Sequence, residues 1–127
     1  MLKSIFIVGL GSFVGGALRY SISMLMKNIC GQCFPFGTLL VNLLGCFAFG
    51  AIFALFGRYG NTSSYCCLLL TTGFCGGFTT FSTFANESVQ MLQNGNLSGF
   101  AGYVTASIIL GFALVALGFW AVKQVAM

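Results

Sequence analysis

The sequence has no histidine and no aspartate, and its only acid is Glu87. Charged residues make up 5% of the 127 positions, against 58% hydrophobic. A soluble domain carries about 25% charged residues, so this chain cannot cover itself with a solvated surface. Disorder is excluded too, because it needs low hydrophobicity and many charges. Without His or Asp, zinc or di-metal hydrolysis has few ligands, and no Ser-His-Asp or Cys-His arrangement can be built. That excludes most enzyme chemistry. The basic residues Lys3, Arg19, Lys27, Arg58 and Lys123 give a net charge of +4. Four of the five are strung out near segment ends, with no stripe or patch of the kind that nucleic acid requires. They read as topology markers and headgroup anchors of an all-α integral membrane protein, with the lipid bilayer as its first partner.

Six cysteines are present, and they do not form a framework. Cys46 and Cys75 fall inside apolar segments, Cys66 and Cys67 are adjacent, and only Cys30 and Cys33 form a CxxC. That pair lacks the βαβ pattern or second pair of a redox or metal motif. Small apolar residues describe the set better.

About 20 residues of helix cross a bilayer core, and four apolar segments meet that length. They run over 5–26, 38–56, 65–93 and 97–122, as one membrane domain covering 1–127. The first is too long for a signal peptide and has no small-residue cleavage site after it. Pro35 marks the turn before the second, Asn61-Thr62-Ser63-Ser64 a polar loop, and Asn94-Gly95-Asn96 the last turn. No linker is long enough to separate domains.

The third segment differs from the others. Its centre, from Thr72 to Phe84, holds paired glycines and then four hydroxyl residues, which make a poor helix interior. A break around 75–80 is expected. Non-helical backbone at membrane depth is tolerated where protein buries it or water reaches it, and it frees carbonyls and amides to bind ions. On the second helix, Thr38, Asn42 and Gly45 share a face, and Asn42 is either interhelical glue or a site. Gly99, Tyr103, Ser107 and Gly111 repeat every four residues on the last helix, as a packing stripe or a pore lining. The first helix aligns Ser12, Gly16, Arg19 and Ser23. Arg19 either snorkels toward the membrane surface or marks a functional site. Phe81 and Phe84 stand one turn apart beside the break, among the hydroxyls of Thr80, Ser82 and Thr83. Their positive ring edges could stabilise a small anion without a full charge that would trap it.

The run Gly76-Gly77-Phe78-Thr79-Thr80-Phe81-Ser82-Thr83-Phe84 resembles the Fluc (CrcB) fluoride channels. The preceding Gly37-Thr38-Leu39-Leu40-Val41-Asn42-Leu43-Leu44-Gly45 and Gly15-Gly16-Ala17-Leu18-Arg19-Tyr20 are similar to that family's second- and first-helix patterns. The likeness covers the whole chain in length, helix count and motif order. It implies a multi-pass protein of the bacterial plasma membrane that exports fluoride passively, as a dual-topology antiparallel homodimer with two pathways. It also implies a structural Na+ that is not transported, held by the backbone carbonyls of Gly76 and Thr79. The fluoride contacts would be the Phe81 and Phe84 rings and the Asn42 amide. Thr38, Tyr103 and Ser107 would belong to a hydroxyl-lined track with Thr80, Ser82 and Thr83 nearby, and Arg19 would draw anions in.

The residues themselves support part of this. Four helices are few to enclose a pore, and Lys3, Arg58 and Lys123 oppose Lys27 and Arg19 in only a shallow topological bias. A proton-coupled exporter like the small multidrug resistance family is the alternative. It needs a membrane-embedded acid, where the first helix here offers Arg19. A scaffold with glycines for packing alone leaves the grouping of Asn42, Phe81, Phe84 and the hydroxyls without a purpose.

Overall fold

The computed structural model describes residues 1–125, all of its regular structure helical. Two unbroken helices, α1 (Leu2–Cys30) and α2 (Phe36–Arg58), precede the irregular third segment. That segment comprises α3 (Tyr65–Leu68), a π-helical turn (Leu69–Cys75), α4 (Gly76–Phe78) and α5 (Phe81–Gln93). Helix α6 (Leu97–Val125) closes the bundle.

Most helices outrun the apolar stretches that announce them, because their polar and basic ends remain good helix formers where headgroups and water begin. A 29-residue helix such as α1 is about 43 Å long at 1.5 Å per residue, beyond a hydrocarbon core of about 30 Å. Helix α1 stops at Gly31, whose φ of 78° takes the chain out of the helix while its N–H donates to the Lys27 carbonyl. Few side chains other than glycine accept that φ without strain. Four stretches, Leu2–Cys30, Phe36–Arg58, Tyr65–Gln93 and Leu97–Val125, are long and apolar enough to cross a membrane. Large apolar side chains such as Phe6, Phe13, Ile109 and Phe112 point outward. Lipid can cover them.

The helices close on one another through small residues, as expected where lipid removes the hydrophobic drive between them. Gly11 and Gly15 of α1 lie directly against the backbone of Phe74 in the π-helical turn, with Gly77 of α4 against Ser12. A Cβ on Gly15 would overlap the Phe74 carbonyl oxygen. Gly50 of α2 abuts Val115 of α6, and Gly118 of α6 abuts Phe47 and Ala51. The packing glycines of α1 are therefore Gly11 and Gly15. Gly16 is less tightly packed, its nearest neighbours at ordinary contact distance, 3.9 Å from where a Cβ would stand.

Candidate ion pathway

The third segment is loosened before it breaks. Thr71 donates its hydroxyl to the Cys67 carbonyl at 2.6 Å, and Thr79 donates to Cys75 at 2.9 Å, each four residues back. Such back-bonding competes with the helical ladder and bends it, and π-turns often occur at functional sites. At Thr79 and Thr80 the chain is extended, with ψ of 159° and 125°. Helix α5 then restarts, capped by the Thr80 hydroxyl, which accepts from the Thr83 N–H at 3.3 Å.

Three side chains from two other helices pin this segment. The Thr80 N–H donates to Asn42 Oδ1 at 2.7 Å, and Asn42 Nδ2 donates back to the Thr80 carbonyl at 3.0 Å. Arg19 Nε donates to the Gly77 carbonyl at 3.0 Å, and Ser12 donates to the Gly73 carbonyl at 3.2 Å. Asn42 thus grips the extended peptide with both ends of its amide. One Nδ2–H is left over. Arg19 is tied to the break through its Nε and also lines a cavity near the α1–α2 turn.

The diverted donors leave particular carbonyls without helical partners. An α-helix would close Gly76 on the Thr80 N–H and Thr79 on the Thr83 N–H. Those N–H groups go instead to Asn42 and to the Thr80 hydroxyl. The oxygens of Gly76 and Thr79 are among those released, with that of Phe78, while the Gly77 oxygen accepts from Arg19. Gly76 is exposed and Thr79 half-buried, and both line a lateral groove.

That groove has a volume of about 680 Å³ and is also lined by Asn42, Phe81, Phe84 and Ser107. The Phe81 and Phe84 ring centres stand 5.8 Å apart. Phe81 is 78% exposed, whereas the Phe84 ring meets Tyr103 edge-on at 5.1 Å. The Ser107 hydroxyl is buried and finds no hydrogen-bond partner among the described residues. A second cavity of about 440 Å³ collects Arg19, Lys27, Thr38, Thr83 and Glu87 near the α1–α2 turn. Ser82 is exposed and lines neither cavity.

Two hydroxyls converge on Glu87, which lines the second cavity. Thr38 donates to Glu87 Oε2 at 3.1 Å, and Tyr103 donates to Glu87 Oε1 at 3.0 Å. Thr38 is 4% exposed and Tyr103 fully buried. Glu87, the only acid in the sequence, gathers both hydroxyls. Its solitude in the composition was the available signal, since a lone carboxylate in an apolar chain must find donors.

A profile of the family described as "CrcB-like protein, Camphor Resistance (CrcB)" matches residues 6–119. The chain belongs to this family. A relative from Leptospira interrogans, named fluoride-specific ion channel FluC, is 39% identical over 122 residues, 96% of each chain. A protein of the same name from Azobacteroides pseudotrichonymphae is 43% identical over 119 residues, 94% of this chain and 95% of its own. Another, from Escherichia fergusonii, is 42% identical over 120 residues, 94% of each. These matches leave no place for the multidrug-exporter alternative. In this member of the CrcB family, the break of the third segment, Asn42, the paired rings and the Glu87 cluster make up the candidate site.

Proposed function

We propose that this protein is a fluoride-selective channel that lets the anion leave the cell down its gradient. The observation that carries the reading is the extended Thr79–Thr80 peptide held by Asn42, with the Phe81 and Phe84 rings beside it. It stands in a CrcB-family chain whose relatives bear the name of fluoride-specific channels.

Fluoride is small and strongly hydrated, so a path for it must replace several water donors at once. The remaining Asn42 Nδ2–H and the unpartnered Ser107 hydroxyl are suitable donors, and Thr80, Thr83 and Thr38 add hydroxyls along the route. The ring edges of Phe81 and Phe84 stabilise the anion without a full charge. Glu87 takes the Thr38 hydroxyl, and that of Tyr103 beside it, so its carboxylate sets which donors are free for an anion. Arg19 and Lys27 offset that charge within the same cavity. Flux would be passive: fluoride enters as the neutral acid, ionises at the higher internal pH and departs as the anion.

The assembly is an antiparallel, dual-topology homodimer. The groove supports it, because Phe81 and its neighbours stand on an open face that a second copy could close. A structural Na+ fits the carbonyls of Gly76 and Thr79, whose usual amide partners are engaged elsewhere. A hard cation takes such oxygens as ligands, and bound there it would supply a fixed positive charge next to the pathway. Asn42 and the Thr80 hydroxyl keep those oxygens available by holding the amides away.

The test is reconstitution of the purified protein into liposomes loaded with fluoride. A fluoride electrode should record rapid release once a potassium ionophore relieves the charge imbalance. Release no faster than from protein-free vesicles would contradict the proposal.

A further inference from the structure

The Cys30-Gly31-Gln32-Cys33 loop is the motif that the pathway leaves unused. Both thiols are free and exposed, as is the isolated Cys66, whereas Cys67 and Cys75 are buried and Cys46 is half-buried. Gly31 turns the chain out of α1, and the backbone bends across Gln32 to Phe34. That bend brings Cys33 back to the rim of the 440 Å³ cavity, where Arg19, Lys27, Thr38 and Glu87 also stand. The next residue, Phe34, meets the Tyr103 ring edge-on at 5.4 Å. Tyr103 in turn donates to Glu87 at 3.0 Å. Two contacts therefore separate the dithiol from the acid of the cavity.

We infer that Cys30 and Cys33 form an oxidisable dithiol at the cavity mouth, a modification site for small-molecule disulfides whose closure slows the passage of fluoride. The effect on flux rests on the channel reading above. A disulfide needs Cα atoms within about 7 Å, which residues three apart around a bend can satisfy. In the reaction, the thiolate of one cysteine attacks the small disulfide, forms a mixed disulfide and expels one small thiolate. The second cysteine's thiolate then attacks the protein-side sulfur, closes the Cys30–Cys33 bond and expels the other. The two protein thiols lose two protons and two electrons, and the small disulfide is reduced to two thiols. Closure ties Cys33 to the end of α1 and draws Phe34 with it, so the support behind Tyr103 and Glu87 shifts.

The experiment treats purified protein in detergent with oxidised glutathione, removes the reagent, and divides the sample between peptide mass analysis and reconstitution. The peptide spanning Cys30 and Cys33 should lose the mass of two hydrogens. Fluoride efflux should fall roughly threefold or more, a barrier rise of about 0.6 kcal/mol or more at about 1.4 kcal/mol per tenfold. A phosphine reductant should restore both. The Cys30→Ser Cys33→Ser double variant should release fluoride at the same rate before and after treatment. A pair that stays reduced, or a closed disulfide with unaltered efflux, would overturn the proposal. Absence of efflux from the untreated, reduced protein would instead overturn the channel reading, and with it the effect assigned to the disulfide.

Discussion

Asn42 spends its amide on a single peptide, accepting from the Thr80 N–H and donating to the Thr80 carbonyl. Replacing it by Ala leaves both groups unpaired in a half-buried site, at a cost of about 1–3 kcal/mol for each unsatisfied group. Asn42→Ala should therefore lower the midpoint of thermal unfolding in detergent, and fluoride efflux with it. Asn42→Asp keeps the acceptor for the N–H but turns an oxygen toward the Thr80 carbonyl, so it should also be destabilised. If Asn42→Ala unfolds like the parent, the grip on the break contributes nothing. Tyr103 poses a second test, because its hydroxyl donates to a carboxylate from a fully buried position. Tyr103→Phe removes a charge-assisted hydrogen bond of about 1.5–3 kcal/mol. Unfolding at the parent's temperature would mean that Glu87 has other donors.

The third segment shows how sequence and tertiary contact divide the work at the scale of the element. Its break was legible because paired glycines and four hydroxyl residues are poor helix formers. Its π-turn was not, since the i−4 back-bonding of Thr71 and Thr79 follows from rotamers, not composition. The face shared by Thr38 and Asn42 was readable from spacing. That its hydroxyl ends on Glu87 was not, because α2, α5 and α6 are joined only by the fold. Arg19 was visible as an odd charge, but its Gly77 partner lies 58 residues along the chain. Helix-to-helix approach can be tested separately. Gly15→Ala sets a methyl group against the Phe74 carbonyl, with backbone on both sides and no flexible side chain to yield. Overpacking of that kind costs about 1–3 kcal/mol or more, so the variant should be recovered poorly after detergent extraction. Gly102→Ala, at a position with nothing within 4 Å of the added atom, should behave like the parent. Equal recovery of the two would contradict the close packing of α1.

For the whole molecule, Asn42, Phe81, Phe84 and Ser107 line an open groove, and the topological charge bias is shallow. Both features favour two copies inserted in opposite directions. In a background with the native cysteines replaced, Asn61→Cys in the α2–α3 loop should be labelled at about half its copies by an impermeant thiol reagent added outside cells, as equal insertion requires. Labelling of all copies or of none would contradict dual topology. In the proposed channel the anion meets two aromatic rings beside the break. Phe81 and Phe84 hold adjoining rings 5.8 Å apart on the groove wall. Isoleucine in either place preserves apolar bulk but removes the ring's positive edge. The most direct measurement is fluoride efflux from liposomes carrying Phe81→Ile or Phe84→Ile, each first shown to keep the parent's elution volume in detergent. The account predicts that efflux falls to the level of protein-free vesicles in both, and efflux equal to the parent's in both would contradict it.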